Sequence, residues 1–300
     1  MNVVISGPTG VIGMALLDLL ERGGYSILLL MNPSSSRLHQ IKARERIRIV
    51  FCDMSDYDKI IINEQYDIFY HFAWEGGGYR DDVNTNIKSA LAAENAVKLA
   101  SRIGCKMFVG AGSQAECGRH SQPISDQTFC SPENVFGAAK LLALNLCKIK
   151  SQHFGIRFCW ARILSVYGPY DGNQTLVMST INKLINGEKL FLTEGVQVWD
   201  YLYSSDAAEA MLAIGNSNDS SGVYTIASGN GVSLRHYLCI IAKQFGRIVE
   251  DEFGLIKYKD TDVMYLVGDV IRLKRELFWE PKINFQTGIE KTVNYCLQKI

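Results

Sequence analysis

The chain has 300 residues, of which 47% are hydrophobic and 21% are charged. Lys plus Arg and Asp plus Glu number 31 each, and the isoelectric point is near 6.9. This length fits one large α/β domain, or a nucleotide-binding domain with a substrate lobe. The balanced charge gives no electrostatic reason to expect nucleic acid or an anionic membrane as a partner, so small-molecule ligands are favoured.

Eight cysteines are scattered along the chain without a Cys-x-x-Cys pair or a Cys/His cluster of zinc spacing. We therefore predict no metal site and expect a reduced, cytoplasmic setting. The longest apolar run, 237–242, is too short to span a bilayer, and no leader pattern precedes the first strand. The expectation is a soluble, unprocessed protein.

Short apolar runs alternate with segments of helical periodicity through the first half of the chain. The pattern predicts strands at 2–6, 26–31, 47–52, 67–72, 106–110 and 156–163, with helices at 11–22, 82–102 and 133–151. Runs that are apolar throughout are typical of strands covered on both faces. The order predicts an α/β fold with a doubly wound parallel Rossmann sheet.

After Gly168-Pro169 the pattern changes, with helices predicted at 174–186, 205–216, 232–246 and 285–298 between shorter strands. We interpret residues 1–167 as a dinucleotide-binding domain and 168–300 as a smaller, interleaved substrate-binding lobe. Residues 196–216 are expected to return to the first domain.

A glycine-rich turn directly follows the first strand and opens a helix. Glycines in such a turn let the backbone approach a pyrophosphate, and the helix N-terminus offers unpaired N–H groups. The sequence therefore predicts dinucleotide contacts in this turn. They are Gly7, Thr9, Gly10, Val11, Ile12 and Gly13.

The second strand ends without an acidic residue. An NAD site usually has Asp or Glu here to accept the ribose hydroxyls, and that carboxylate would repel a 2′-phosphate. Hydroxyls and an arginine instead suit a phosphate, so the turn favours NADP(H), with NAD(H) and a plain polar turn left open. The residues are Asn32, Ser34, Ser35, Ser36 and Arg37.

Two further segments carry a family resemblance. Gly110-Ala-Gly-Ser113-Gln-Ala-Glu-Cys117-Gly118 and Val135-Phe136-Gly-Ala-Ala-Lys140, with the glycine turn, resemble the extended short-chain dehydrogenase/reductase superfamily of nucleotide-sugar epimerases and reductases. In that family a Ser or Thr orients the substrate oxygen, a tyrosine transfers the proton, and a lysine four residues later lowers the tyrosine pKa.

The resemblance implies that Ser113 and Lys140 keep the supporting positions and that Phe136 stands in place of the tyrosine. A phenyl ring fills the space of a phenol but has no proton to give. We therefore expect good ligand binding and impaired turnover, whether this phenylalanine is natural or engineered.

By position, the resemblance implies further contacts. The remaining implied cofactor residues are Asp53, Met54, Phe72, Ala73, Trp74, Ala111, Lys140, Ile163 and Ser165. The implied substrate residues are Trp74, Ser113, Gln114, Ser165, Thr175, Leu176 and Trp199. Trp199 replaces an arginine that binds the pyrophosphate of the sugar nucleotide in the family, and Arg272 or Lys259 could supply the missing charge.

The resulting functional hypothesis is NADPH-dependent reduction of a nucleoside diphosphate 4-keto (deoxy)sugar for surface polysaccharide. A 4,6-dehydratase is disfavoured, because Gln114-Ala115 replaces the Asp-Glu pair of those enzymes. Two alternatives remain: an NAD-dependent 4-epimerase, and a non-catalytic protein that binds a dinucleotide or sugar nucleotide.

The resemblance also implies a homodimer in which the helices at 82–102 and 133–151 meet those of a second subunit. Small residues on these helices could allow close approach, although they could equally pack within one subunit. They are Ala90, Ala92, Ala93, Ala138 and Ala139.

Overall fold

The computed structural model describes residues 1–41, 44–75 and 80–299. Its strands are β1 (Asn2–Ser6), β2 (Ser26–Met31), β3 (Ile47–Phe51), β4 (Ile68–His71), β5 (Met107–Ala111), β6 (Arg157–Ile163), β7 (Ser165–Tyr167), β8 (Val198–Trp199), β9 (Tyr201–Tyr203), β10 (Gly222–Ile226), β11 (Val232–Ser233) and β12 (Tyr265–Leu266). The helices are α1 (Val11–Arg22), α2 (Val83–Arg102), α3 (Val135–Phe154), α4 (Leu176–Ile185), α5 (Ser204–Asn216), α6 (Leu234–Lys243), α7 (Ile271–Leu277) and α8 (Phe285–Leu297).

Seven strands form one parallel sheet in the order β10-β6-β5-β4-β1-β2-β3. Consecutive residues of β1 alternate between its two faces: Val3 and Ile5 join the cluster that contains α1 and α5, whereas Val4 joins the cluster that contains α2 and α3. Both faces are therefore buried, as the apolar strand pattern requires. The predicted doubly wound parallel sheet is confirmed.

The second half builds a smaller layer beside this sheet. Helices α4, α6 and α8 pack around a third cluster that includes Ile181, Leu238 and Ile289. A small sheet has the order β11-β8-β12, and β7 pairs with β9. Helix α5 packs against α1, and β10 joins the central sheet beside β6. The return of the chain thus extends beyond 196–216, and the division into two domains stays a prediction.

Strand β10 and helix α7 are absent from the sequence predictions. Helix α7 has seven residues and no side-chain hydrogen bond at its N-cap, so it lacks the local signals of a helix start. The other seven helices and the six strands whose bounds were predicted, β1 to β6, lie within a few residues of those bounds. Within the described ranges, the structure has no helix that is both long and apolar enough to cross a membrane.

The alanines proposed for a subunit interface lie elsewhere than expected. Ala90, Ala92, Ala93 and Ala139 are buried where α2 packs against α3 of the same chain, and only Ala138 is exposed. Their small size permits the close approach of these two helices within one subunit. Apart from Ala138, they do not lie on an outer surface.

Candidate functional site

The turn between β1 and α1 needs glycine at two positions for steric reasons. Gly7 has φ 68°, and a Cβ there would lie 2.6 Å from the backbone nitrogen of Ala73. A Cβ on Gly13 would lie 2.7 Å from the carbonyl oxygen of Pro8. Gly10 differs, because it is the N-cap of α1 and a Cβ there would have no neighbour closer than 4.0 Å. The turn therefore leaves open space at the start of α1, which fits a dinucleotide pyrophosphate.

A cavity of about 180 Å³ lies beside this turn, where the carboxyl ends of β1, β2, β3 and β4 meet. This is the edge at which open parallel sheets bind nucleotides. The structure here brings together many of the predicted cofactor residues. Its lining includes Gly7, Thr9, Asn32, Ser35, Met54, Ala73 and Trp74.

Asn32 and Asp53 are connected at the rim of this first cavity. The side-chain nitrogen of Asn32 lies 3.3 Å from Asp53 Oδ2. Asp53 also accepts hydrogen bonds from the hydroxyl and the N–H of Ser55, and these lower the pKa of its carboxyl. Asp53 therefore stays ionised at neutral pH. The N–H and the hydroxyl of Ser34 both donate to Asn32 Oδ1, so neither group is free to bind a phosphate.

Arg37 lies away from the first cavity. Its guanidinium donates to the carbonyl oxygens of Thr9, at 3.4 Å, and Tyr170, at 3.3 Å. It lines a second cavity of about 600 Å³ between the start of α1 and the segment before α4. This second cavity also includes Gly10, Val11, Arg80, Asp171 and Thr175. Arg37 thus connects the glycine turn with the smaller layer.

Lys140 is almost completely buried on α3. Its Nζ donates to the carbonyl oxygen of Ala111 at 2.8 Å and lies 3.8 Å from the centre of the Trp74 ring. Burial lowers the pKa of Lys140 to about 7, although the charge of Glu116 opposes this effect. The ammonium group is therefore covered by an indole on the side of the cofactor cavity.

Phe136 lies one helical turn before Lys140 on the same face of α3. Its ring centre is 5.8 Å from Lys140 Nζ and 5.9 Å from the ring centre of Trp74, in an edge-to-face arrangement. The guanidinium carbon of Arg80 lies 5.3 Å from the same ring centre. An aromatic and cationic enclosure thus surrounds Phe136, the position that the sequence resemblance assigns to the phenol.

Ser113 caps a short 3₁₀ turn after β5. Its Oγ accepts the N–H of Ala115 at 3.2 Å, and its own N–H donates to Glu116 Oε1 at 2.7 Å. Glu116 is fully buried and also accepts from Trp160 Nε1, at 2.9 Å, and from Arg162 Nε, at 3.3 Å. Burial raises the pKa of Glu116, while these donors act in the opposite direction.

Glu116 was not among the predicted site residues. The signal that could have identified it is the Ser-x-x-Glu spacing of a capping box, which the structure contains. This buried carboxylate holds the backbone of Ser113, so it positions the serine without contacting a substrate itself.

The predicted substrate residues are only partly brought together. Thr175 caps α4 and its hydroxyl donates to Asp171 at 2.8 Å, and the next residue, Leu176, is 37% exposed. Trp199 Nε1 donates to Ser165 Oγ at 2.7 Å, which fixes the indole beside the start of β7. Gln114 begins the 3₁₀ turn after Ser113.

Arg272 and Lys259 were the two candidates to replace the charge missing at Trp199. The guanidinium of Arg272 contacts Asp126, Glu276 and the carbonyl oxygens of 221 and 223, which uses four of its five N–H donors. This placement argues against Arg272. Lys259 has an exposed side chain in the loop before β12.

The remaining predicted cofactor residues lie in different settings around these groups. Ile12 packs in the core, Ile163 ends β6, Phe72 follows β4, and Ser36 is exposed in the turn after β2. Among the residues that the structure describes, no three His, Cys, Asp or Glu side chains are grouped so that they could hold a metal ion.

Comparison with known proteins agrees with this geometry. Residues 3–227 match the family model described as the NAD dependent epimerase/dehydratase family. The chain belongs to this family. The resemblance to nucleotide-sugar enzymes of the extended short-chain dehydrogenase/reductase superfamily is thereby confirmed.

Relatives align over nearly the whole chain. A UDP-glucuronate 4-epimerase from Thermodesulfobacterium geofontis is 25% identical, with 99% of this chain and 96% of the relative covered. A CDP-abequose synthase from Salmonella muenchen is 23% identical, with 98% and 97% covered. The solved UDP-N-acetylglucosamine 4-epimerase from Methanobrevibacter ruminantium M1, in complex with UDP-N-acetylmuramic acid, superposes with a TM-score of 0.89 at 20% identity, covering 100% of this chain and 99% of that one. Other solved structures of similar fold contain NAD with UDP-glucuronic acid or UDP.

Proposed function

We propose that this protein binds a nicotinamide dinucleotide and a nucleoside diphosphate sugar, and that its reaction is NADPH-dependent reduction of a 4-keto (deoxy)sugar for surface polysaccharide. The observation that carries the proposal is the arrangement of Phe136 beside Lys140 on α3, with Ser113 at the end of the neighbouring strand β5. Two of the three groups that this chemistry uses are present, and only the proton donor is replaced.

The residues of this chain have distinct tasks in the proposed reaction. When bound, the dinucleotide supplies the hydride. The Ser113 hydroxyl accepts one hydrogen bond from Ala115 and keeps its own proton free to donate to a keto oxygen. Phe136 fills the volume of a phenol without offering a proton, so protonation of the developing alkoxide has no positioned donor and becomes slow.

Phe136→Tyr tests this function directly. The added phenol should raise single-turnover oxidation of NADPH with a nucleoside diphosphate 4-keto sugar by roughly 10²- to 10⁴-fold, which is the usual share of a positioned general acid. Substrate affinity should change little, because the ring keeps its shape. The control is Phe154→Tyr at the end of the same helix, which should leave the rate unchanged.

The rate of the unmodified protein is equally informative. If it already turns over a 4-keto sugar rapidly and the tyrosine variant is no faster, proton transfer comes from another group and the proposed role of this position is wrong.

A 4-epimerase is the second candidate, and the whole-chain similarity to solved 4-epimerases favours it. The two reactions differ in their balance of cofactor. A reductase consumes NADPH in proportion to product, whereas an epimerase inverts its sugar with no net change in reduced nicotinamide. Absorbance at the nicotinamide band, recorded alongside analysis of the sugar, separates them.

A non-catalytic binding protein is favoured by a different observation. The Trp74 indole covers the Lys140 ammonium, and Phe136 lacks a proton to transfer. Calorimetry that gives micromolar binding of a dinucleotide and a sugar nucleotide, with no turnover by either the unmodified protein or Phe136→Tyr, would select this function.

A further inference from the structure

Two cysteines from different segments lie side by side next to the candidate site. Cys117 ends the 3₁₀ turn that follows Ser113, and Cys130 lies in the loop that leads to α3. The two thiols are near enough for each to affect the ionisation of the other. The backbones are also connected, because the N–H of Ser131 donates to the carbonyl oxygen of Cys117 at 3.3 Å.

A buried arginine contacts the same sulfur. Arg162 is 2% exposed, and its Nη2 lies 3.1 Å from Cys130 Sγ. Its other nitrogens contact Glu116 Oε2, at 3.3 Å, and the Ser125 carbonyl oxygen, at 2.8 Å, so the guanidinium is held in place. The carbonyl oxygen of Thr128 lies farther from Cys130 Sγ, at 3.8 Å. The Arg162 guanidinium is closer to this sulfur than the Thr128 carbonyl oxygen and is charged, so it has the larger effect on the ionisation of Cys130.

The two thiols have opposite tendencies to ionise. Interaction with Cys117 and the positive charge of Arg162, whose Nη2 lies 3.1 Å from Cys130 Sγ, lower the pKa of Cys130 against the effects of burial and of Glu116. Interaction with Cys130 and burial both raise the pKa of Cys117, which favours its protonated thiol. The pair therefore combines a half-buried thiolate with a neighbouring thiol, which is the arrangement of a reactive cysteine and its resolving partner.

The other half-buried cysteine of the described chain provides a contrast. Cys239 lies on α6, and burial together with the charge of Glu250 raises its pKa. Partial exposure alone therefore does not create a thiolate in this protein, and Cys239 is a matched internal control for Cys130.

We propose that Cys130 and Cys117 form an oxidisable dithiol site that reacts with hydrogen peroxide. The Cys130 thiolate attacks one peroxide oxygen, the O–O bond breaks, and a sulfenic acid and hydroxide are produced; the hydroxide takes up one proton to become water. The Cys117 sulfur then attacks the sulfenic sulfur and displaces a second water. In total, two thiols are oxidised to one disulfide while one peroxide is reduced to two waters.

The site is adjacent to the residues that hold Ser113. Disulfide formation replaces the thiolate that Arg162 contacts, and Arg162 also contacts Glu116, the residue that accepts the N–H of Ser113. The proposal does not depend on the function proposed above, because its readouts are masses of peptides.

The first measurement is competitive alkylation of the fully reduced protein. With limiting iodoacetamide near neutral pH, Cys130 should be labelled about 10-fold faster than Cys239 or more, since the thiolate is the reacting form. Labelling is quantified by peptide mass spectrometry. Equal labelling of the two cysteines, or faster labelling of Cys239, would overturn the assignment.

The second measurement is oxidation with one equivalent of hydrogen peroxide. A non-reducing digest should contain a cross-linked peptide that joins Cys117 to Cys130, and the whole protein should lose two hydrogens. Cys117→Ser should instead accumulate a sulfenic acid at Cys130, trapped with dimedone, whereas Cys239→Ser should oxidise like the unmodified protein. If peroxide leaves the pair reduced, or joins either cysteine to another chain instead, the site does not exist as proposed. Should Cys117→Ser not fold, the cross-link in the unmodified protein still decides.

Discussion

Lys140 shows how a single buried cation makes stability depend on pH. Burial lowers its pKa to about 7, below the 10.5 of an exposed lysine. Between these two values the unfolded chain binds the proton that the folded chain has released, so the folded state gains stability as pH rises. Below about pH 7 this gain is absent, because Lys140 is protonated in both states and its buried charge destabilises the folded state.

Lys140→Met removes this titration. The free energy of unfolding of the unmodified protein, minus that of the variant, should rise from about pH 7.5 to 9.5 by up to about 1.4 kcal/mol per pH unit. Urea unfolding at several pH values measures the difference. Lys148→Met, at an exposed position of the same helix, should give a flat difference. A flat profile for Lys140→Met as well would show that this ammonium is not desolvated.

Arg37 is the residue at which the predicted preference for NADP(H) can be tested. The turn after β2 offers no carboxylate, which supports NADP(H), yet the Arg37 guanidinium contacts Thr9 and Tyr170 oxygens beside the second cavity. If it turns to a 2′-phosphate when NADPH binds, Arg37→Ala should weaken NADPH by about 1 to 3 kcal/mol and hardly change NADH. Titration calorimetry measures both, with Arg46→Ala as the control. Equal losses for both cofactors, or tighter NAD(H) binding by the unmodified chain, would contradict the NADP preference.

At the scale of elements, two glycines of the β1–α1 turn are expected to have different roles, Gly7 in folding and Gly10 in dinucleotide binding. A Cβ on Gly7 would collide with the backbone at Ala73, and the backbone of Gly7 has the left-handed conformation that favours glycine. A Cβ on Gly10 would have open space. Gly7→Ala should therefore lower the free energy of unfolding by more than about 1 to 2 kcal/mol. Gly10→Ala should fold normally but reduce dinucleotide affinity by about tenfold or more, because the methyl group lies where the backbone must approach the pyrophosphate.

Denaturant unfolding and calorimetry on the two glycine variants give the result. Normal dinucleotide binding by Gly10→Ala would mean that the pyrophosphate does not lie at the start of α1. Normal stability of Gly7→Ala would mean that the turn can relax away from the segment after β4.

At the scale of the whole molecule, α2 and α3 carry the strongest indication of assembly. Val83, Ile87 and Leu91 recur every four residues on α2 and are exposed by 51%, 43% and 51%, and Ile149 on α3 is 63% exposed. This apolar surface supports the homodimer hypothesis better than the buried alanines do. The expected mass in solution is about twice the 33.5 kDa of one chain.

Leu91→Glu should convert this dimer to monomer, because a charge would have to be buried at the interface. Light scattering at micromolar concentration measures the mass. Ile61→Glu, at an exposed position outside the two helices, should remain dimeric. A mass near 33.5 kDa for the unmodified chain would remove the dimer hypothesis.

Local patterns alone determined most strands of the sheet, the glycine turn and the placing of Phe136 and Lys140 on one helix face, whereas the family resemblance identified Phe136 as the replacement of a tyrosine. These features depend on residues two to seven positions apart: apolar runs define the strands, and a four-residue spacing places Phe136 and Lys140 on one helix face. Short-range sterics and hydrogen bonding act over the same distances along the chain, so the sequence contains them directly.

Only the tertiary structure decided what surrounds these residues. The Trp74 indole covers the Lys140 ammonium although the two residues are 66 positions apart in the sequence. Arg162 contacts Glu116 and Cys130, which precede it by 46 and 32 positions. Strand β10 has the short β-branched and aromatic run Val-Tyr-Thr-Ile, but its place at the edge of the sheet depends on pairing with β6. Such contacts depend on how separate elements pack, and no local spacing in one chain specifies which buried charge will find which partner.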